Sequence, residues 1–208
     1  MPLMKEKTSP SSLLPSCRRQ FLVSTSFITI GSYFFGATTT AFARVPGSKD
    51  AAEAVQQIEG AFDDLRKLRD NWGSYATIDA EGRAGSTDAA RRILGGIAPQ
   101  SGRAAIEVAN ATPLYRIDGA FSAIRQAAIE ETIDWASNLD LVRFEELVER
   151  ILFAIQKADG DFYSVLFAAK GTRMVSGIFG EAKAQVNQGI ADFEELIGLL
   201  KDAGAPLS

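Results

Sequence analysis

The stretch Leu141-Val142-Arg143-Phe144-Glu145-Glu146-Leu147-Val148-Glu149-Arg150-Ile151-Leu152-Phe153-Ala154-Ile155 decides the fold. Leu141, Phe144, Leu147, Val148, Ile151, Leu152 and Ile155 recur at three- and four-residue spacing, the period of an α-helix with one apolar stripe. Arg143, Glu145, Glu146, Glu149 and Arg150 fill the other side, so one face is buried and the opposite one is solvated. Asp159-Gly160 is the natural place for this helix to stop.

The same period runs on both sides of that stretch. Upstream, Ser48 is the expected N-cap of a first helix carrying Ala51, Val55, Ile58, Phe62, Leu65, Leu68 and Trp72, closed by Gly73. A polar, glycine-bearing connector covers 73–86. Thr87 and Asp88 open a short helix through Arg91, Arg92 and Leu94, stopped by Gly95-Gly96. Pro99, Gly102 and Pro113 break the next stretch into loops and short turns. Leu114, Ile117, Phe121, Ile124, Ala128 and Trp135 trace one helix ending near Asn138. Downstream, Phe162 to Ala169 is a short apolar segment. The last helix carries Val175, Ile178, Phe179, Ala182, Val186, Ile190, Phe193, Ile197 and Leu200, before Gly204 and Pro206.

No stretch shows sustained β alternation. The expectation is an all-α chain: an antiparallel four-helix bundle with an irregular, partly helical excursion after its first helix. Its core comes from Val55, Ile58, Phe62, Leu65, Phe121, Ile124, Trp135, Phe144, Ile151, Ile155, Phe179, Val186 and Phe193. Each such side chain contributes about 1.5–3 kcal/mol on burial, so stability needs no cofactor.

Ahead of these helices lies a targeting segment. Arg18-Arg19 precede a sixteen-residue apolar stretch, Phe21 to Gly36, which ends in Ala41-Phe42-Ala43. Basic region, apolar core and small-x-small site make an export signal. With Phe21-Leu22 two positions on, the pair follows the twin-arginine pattern, although Cys17 and Val23 replace its usual Ser and Lys. The Ser- and Pro-rich residues 1–16 suit the tail of a plastid transit peptide. Cleavage is expected between Ala43 and Arg44, with Ala41 at −3. The chain then divides into a presequence, 1–43, and a single helical domain, 44–208. The alternative is an uncleaved anchor, since 21–42 is nearly long enough to span a bilayer.

Composition removes whole classes of function. The chain has no histidine, and its single cysteine, Cys17, lies in the presequence. Neither a Ser–His–Asp nor a Cys–His arrangement is possible, and a zinc site would lack its preferred ligands. Haem would have to rely on Met174 or a tyrosine. Residues 44–208 carry 18 basic and 25 acidic side chains, a net charge of −7. Such a domain, without interleaved aromatic and basic residues, is a poor binder of nucleic acid. No cofactor is expected.

Candidate sites are few. Glu145-Glu146 and Glu194-Glu195 are carboxylate pairs, but a di-iron bundle needs Glu-x-x-His, so they read as solvated helix faces. Gly177, Gly180, Gly189 and Gly198 form no phosphate loop and are expected to let a neighbouring backbone approach the last helix. Trp72 and Trp135 read as core or bundle-end residues. One feature stands out: Arg83, Arg91, Arg92, Arg103 and Arg116 lie between residues 82 and 116 against only Asp88 and Glu107, a net of +3. The rest of 44–208 must then carry −10. Segregated positive charge in the least regular part of an acidic chain marks these five arginines as the expected docking face. The plainer reading pairs them with the acidic bundle.

Ala90-Arg91-Arg92-Ile93-Leu94-Gly95, followed by Thr112-Pro113-Leu114-Tyr115-Arg116-Ile117-Asp118, resembles extrinsic photosystem II proteins of red-lineage algae, the PsbQ-like lumenal subunits and their diatom counterparts. The order of elements is similar too: lumenal signal, leading helix, irregular stretch, bundle helices. The resemblance implies a non-catalytic subunit in the chloroplast thylakoid lumen, peripheral to the membrane. It would dock on the photosystem II core beside other extrinsic subunits and help retain the calcium and chloride of the oxygen-evolving complex, holding no metal itself. The alternative is a periplasmic helical binding module exported folded by the twin-arginine route. An enzyme working with Asp or Glu alone ranks below both.

Overall fold

The computed structural model describes residues 50–97 and 112–208. Among them the regular structure is helical, apart from one isolated antiparallel bridge between Ile78 and Ala84, and the fold class is all-α. The elements are α1 (Ala51–Asp70), α2 (Trp72–Tyr75), α3 (Asp88–Ile93), α4 (Ile117–Ile129), α5 (Asp134–Ser137), α6 (Leu141–Ser164), a 3₁₀ turn (Val165–Phe167) and α7 (Thr172–Ala203). The expected signal and cleavage residues Arg18, Arg19, Ala41, Ala43 and Arg44, the N-cap Ser48 and the docking residue Arg103 lie outside the described residues.

The long helices pack in the cyclic order α1–α4–α6–α7. Neighbours run antiparallel. On α1 and α7, Phe62 meets Phe193 at 6.5 Å between ring centroids, while Lys183 reaches Trp72 at the far end of the pair. On α6 and α7, Phe162 meets Phe179 at 5.8 Å, and Arg150 pairs with Asp192. This order is compatible with the four-helix bundle expected from the sequence. The core holds Phe121, Phe144, Phe162 and Phe193, all essentially inaccessible, with Ile58, Leu65, Ile124, Ile151 and Leu196 around them.

Four expectations need correction. The first helix is capped two residues beyond the expected Ser48: Asp50 is the N-cap, its carboxylate accepting from the Ala52 N–H at 3.0 Å. The chain turns at Asn71, and Trp72 and Gly73 enter α2 instead of closing α1. The expected helix from Leu114 to Asn138 is two. α4 ends at Glu130, and Glu131 takes a left-handed conformation (φ 51°), with the Thr132 N–H donating to the Ala127 carbonyl. The β-branched Thr132 and Ile133 that follow disfavour continuation.

α6 does not stop at Asp159-Gly160. It continues to Ser164 because Ala158, Phe162 and Val165 keep the buried stripe going. That burial outweighs the roughly 1 kcal/mol helix cost of Gly160. The glycines of α7 do not serve close approach. A Cβ at Gly177, Gly180 or Gly198 would meet nothing within 4 Å, and one at Gly189 would sit in ordinary contact with Leu65 and Ala154.

The excursion after α1 turns out to be part of the wall. α4 has 13 residues, about 20 Å of helix, against 20 in α1 and 24 in α6, about 30 and 36 Å. α3 packs on α1 and α6, the same two helices that flank α4. Together α3 and α4 form one column. Their joint is Gly95, left-handed at φ 76°, whose missing Cβ leaves room for the Leu114 carbonyl; a Cβ would lie 2.8 Å from that oxygen. Leu94 and Leu114 are both buried there.

Candidate functional site

The arginine-bearing segment is placed by three local devices. After α2, residues 77–85 double back. The Asp79 N–H donates to the Arg83 carbonyl at 2.9 Å and the Gly85 N–H to the Thr77 carbonyl at 2.8 Å. The Asp79 carboxylate accepts from the Glu81 and Arg83 main-chain N–H groups. The Arg83 N–H is the main influence holding the Asp79 carboxyl below its ordinary range, and the Arg83 side chain adds to it. The loop is then tied to the start of α7, where the Gly171 N–H donates to the Gly82 carbonyl at 3.1 Å. α3 follows, with Thr87 at its N-cap position. The Thr87 hydroxyl is buried and has no hydrogen-bond partner among the described residues, so it does not cap by side chain.

The five expected arginines divide. Arg83 is exposed and bridges Asp79 (2.9 Å) and Glu81 (3.3 Å) within its own loop. Arg91 points inward. Its Nε donates to Asp159 Oδ1 at 2.9 Å and its Nη2 to Oδ2 at 3.4 Å, with side-chain exposures of 17% and 21%. Its guanidinium also lies over the Tyr163 ring, 4.8 Å from the centroid. Gly96 presses on the same Asp159 carboxylate, where any Cβ would collide. Arg91 therefore ties α3 to α6, as the plainer reading of this cluster anticipated. Arg92 is exposed and makes no ion pair among the described residues. Arg116 is exposed, left-handed at φ 56°, and stacks beside Tyr115 at 5.5 Å. Among the described residues, the segment thus offers Arg92 and Arg116 as cations without an ion pair, and Arg83 as a paired one.

Three of the four carboxylates read as solvated faces are in ion pairs. Glu145 holds Arg125, and Arg143 bridges Glu146 and Glu195. These contacts raise the pKa of both guanidinium groups, chiefly through the hydrogen bonds they donate to Glu145 and to Glu195. The Arg143–Glu195 pair belongs to a ladder the sequence reading missed. Arg143, Arg150 and Lys157 sit seven apart on α6 and face Glu195, Asp192 and Glu181 on α7. Asp161 is the main cause of the raised Lys157 pKa. The heptad spacing of the three bases was the available signal, since residues seven apart share one helix face. Among the described residues, no group of three or more His, Cys, Asp or Glu is placed to hold a metal.

A second feature was also missed. Among the described residues seven large apolar side chains are exposed, and four of them, Tyr163 (50%), Leu166 (44%), Phe167 (71%) and Met174 (55%), fall in the corner between α6 and α7. Trp72 and Trp135 are half-buried, as expected for bundle-end residues: Trp72 packs on Phe162 at 5.4 Å, and Trp135 lies beside Gly204. No helix among the described residues is long and apolar enough to cross a membrane. No family model, curated protein or solved structure matches the chain.

Proposed function

We propose that the chain is a non-catalytic extrinsic subunit of photosystem II in the chloroplast thylakoid lumen. There it docks on the core beside other extrinsic subunits and helps the oxygen-evolving complex retain calcium and chloride. The observation that carries the reading is the joint between α3 and α4. The two segments that resemble the PsbQ-like subunits, 90–95 and 112–118, pack on each other at Gly95 and Leu114 and complete one column of the helix array. Residues that carry the resemblance thus share one structural task. Two further facts agree. The described helices include none able to span a bilayer, as a peripheral subunit requires. With no histidine in the chain, acid–base and nucleophilic chemistry have little to work with.

In this reading Arg92 and Arg116 face the partner and Arg91 holds the segment that presents them. The rest of the domain is acidic and would be repelled by an acidic lumenal surface, so the arginine segment sets the docking orientation. The test is fractionation. Washing the source thylakoid membranes with concentrated salt should release the protein together with a loss of oxygen evolution. Adding it back should restore the activity at lower added calcium and chloride. Release without any change in oxygen evolution or its ion requirement would refute the assignment.

A further inference from the structure

We propose that the corner between α6 and α7, residues 163–174, is a docking tip for the surface of an anionic lipid bilayer. Three independent observations converge on it. Tyr163, Leu166, Phe167 and Met174 expose from 44% to 71% of their surface within twelve residues, and Tyr163 and Phe167 brace each other edge-on at 5.0 Å. Lys170 and Arg173 stand exposed in the same corner and make no ion pair among the described residues. No acidic residue occurs from Phe162 to Gly180, in a domain that is otherwise net acidic.

An aromatic and aliphatic tip fringed by unpaired cations is the chemistry of the bilayer interface. Apolar side chains enter the headgroup boundary, tyrosine sits at the headgroup level, and Lys and Arg meet anionic lipid. The charge pattern fixes the pose. Ladder acids and the acidic remainder are repelled by a negative surface, so the +2 corner is the part that approaches it. The adjacent loop, tied to the corner at Gly171, carries Asp79 and Glu81 against Arg83, a net of −1, so corner and loop together keep a net charge of +1. Arg91, held over the Tyr163 ring and bonded to Asp159, keeps the ring in place at the edge of the tip. The tip is a turn between two consecutive helices, anchored inward by the buried Val165 and Val175, by Ala168 packed on the core and by the Gly171–Gly82 hydrogen bond. Its exposed side chains can therefore enter a fluid interface without unpacking the core. This inference does not depend on the host complex proposed above.

The experiment is flotation with vesicles of phosphatidylcholine alone and of phosphatidylcholine with about one-third phosphatidylglycerol. The full chain and its 44–208 form are both measured, and variants are compared within one form. Wild type should partition onto the anionic vesicles and only weakly onto the neutral ones. Lys170→Ala/Arg173→Ala should lower anionic partitioning about twenty-fivefold, at about fivefold per charge. Leu166→Ser/Phe167→Ser should lower it about tenfold or more. Val142→Ser/Phe153→Ser, which removes exposed apolar residues elsewhere on α6, should change it less than about twofold. Circular dichroism melting of each variant checks that the fold persists, as it should for exposed positions. Partitioning unchanged in both corner variants, or lost equally in the α6 control, would overturn the proposal. So would absence of binding to vesicles when the corner substitutions abolish rebinding to protein complexes, which would make the corner a protein contact instead.

Discussion

Replacing Arg91 by alanine should destabilise the fold, although sequence reasoning placed this residue on a docking face. The guanidinium makes two hydrogen bonds to Asp159, at 2.9 and 3.4 Å, and both side chains are about four-fifths buried. Exposed ion pairs contribute up to about 1 kcal/mol, while breaking a fully buried one costs about 3–5 kcal/mol. This pair lies between, and the Tyr163 contact adds about 0.5–1 kcal/mol. The expected loss is about 2–3 kcal/mol, or roughly 5–10 °C in Tm for a domain of this size. Asp159→Ala should cost less, about 1–2 kcal/mol, because the freed arginine can swing to solvent. In a double-mutant cycle measured by urea unfolding, the coupling should be about 1–2 kcal/mol. Gly96→Ala should mimic the loss by pushing the Asp159 carboxylate aside, and it should cost little once Asp159 is alanine. A coupling within about 0.3 kcal/mol of zero would show that the pair does not hold α3 to α6.

Three other outcomes follow from the backbone and the loop. Gly177→Ala and Gly180→Ala sit in open, exposed helix and should each stabilise α7 by about 0.5–1 kcal/mol in thermal or urea unfolding. Glu131→Gly should stabilise by about 1 kcal/mol, because it relieves a left-handed conformation in a side-chain-bearing residue; an unchanged Tm would contradict that backbone assignment. The Asp79 carboxyl should titrate below its ordinary value of about 3.9 in an NMR pH series. Its folded pKa is depressed, so its contribution to stability is present above about pH 3.9 and is lost as pH falls through the lower folded value. Since the Arg83 main-chain N–H is the leading cause, Arg83→Ala should leave much of the depression in place.

The all-α class was legible because apolar residues in every long segment keep helical spacing, and those same residues form the core. Where the reading failed, long-range contact overrode a local signal. Asp159-Gly160 looks like a helix end, yet Arg91 captures the aspartate and the burial of Phe162 carries the helix past the glycine. The Leu114–Asn138 stripe looks continuous, yet the chain turns at Glu131, where no glycine or proline marks the break. At the candidate site, positive charge segregation was visible in sequence but its pairing was not. Arg91 and Arg92 are adjacent in sequence and differ because one faces Asp159 and the other faces water. The α6–α7 ladder could have been found from the seven-residue spacing of Arg143, Arg150 and Lys157. The exposed corner could not, because Phe162 to Ala169 reads as buried until the neighbours of each side chain are known.

The proposed docking on photosystem II through the arginine segment can be measured on membranes stripped of extrinsic proteins. The quantity is the affinity with which the protein rebinds to salt-washed photosystem II membranes, for wild type and for Arg92→Glu/Arg116→Glu. Saturable rebinding that restores oxygen evolution is expected, weakened about thirtyfold in the variant if one arginine is a desolvated contact worth about 2 kcal/mol. Absence of saturable rebinding by wild type would contradict the assignment, and equal rebinding by the two proteins would place the docking face elsewhere.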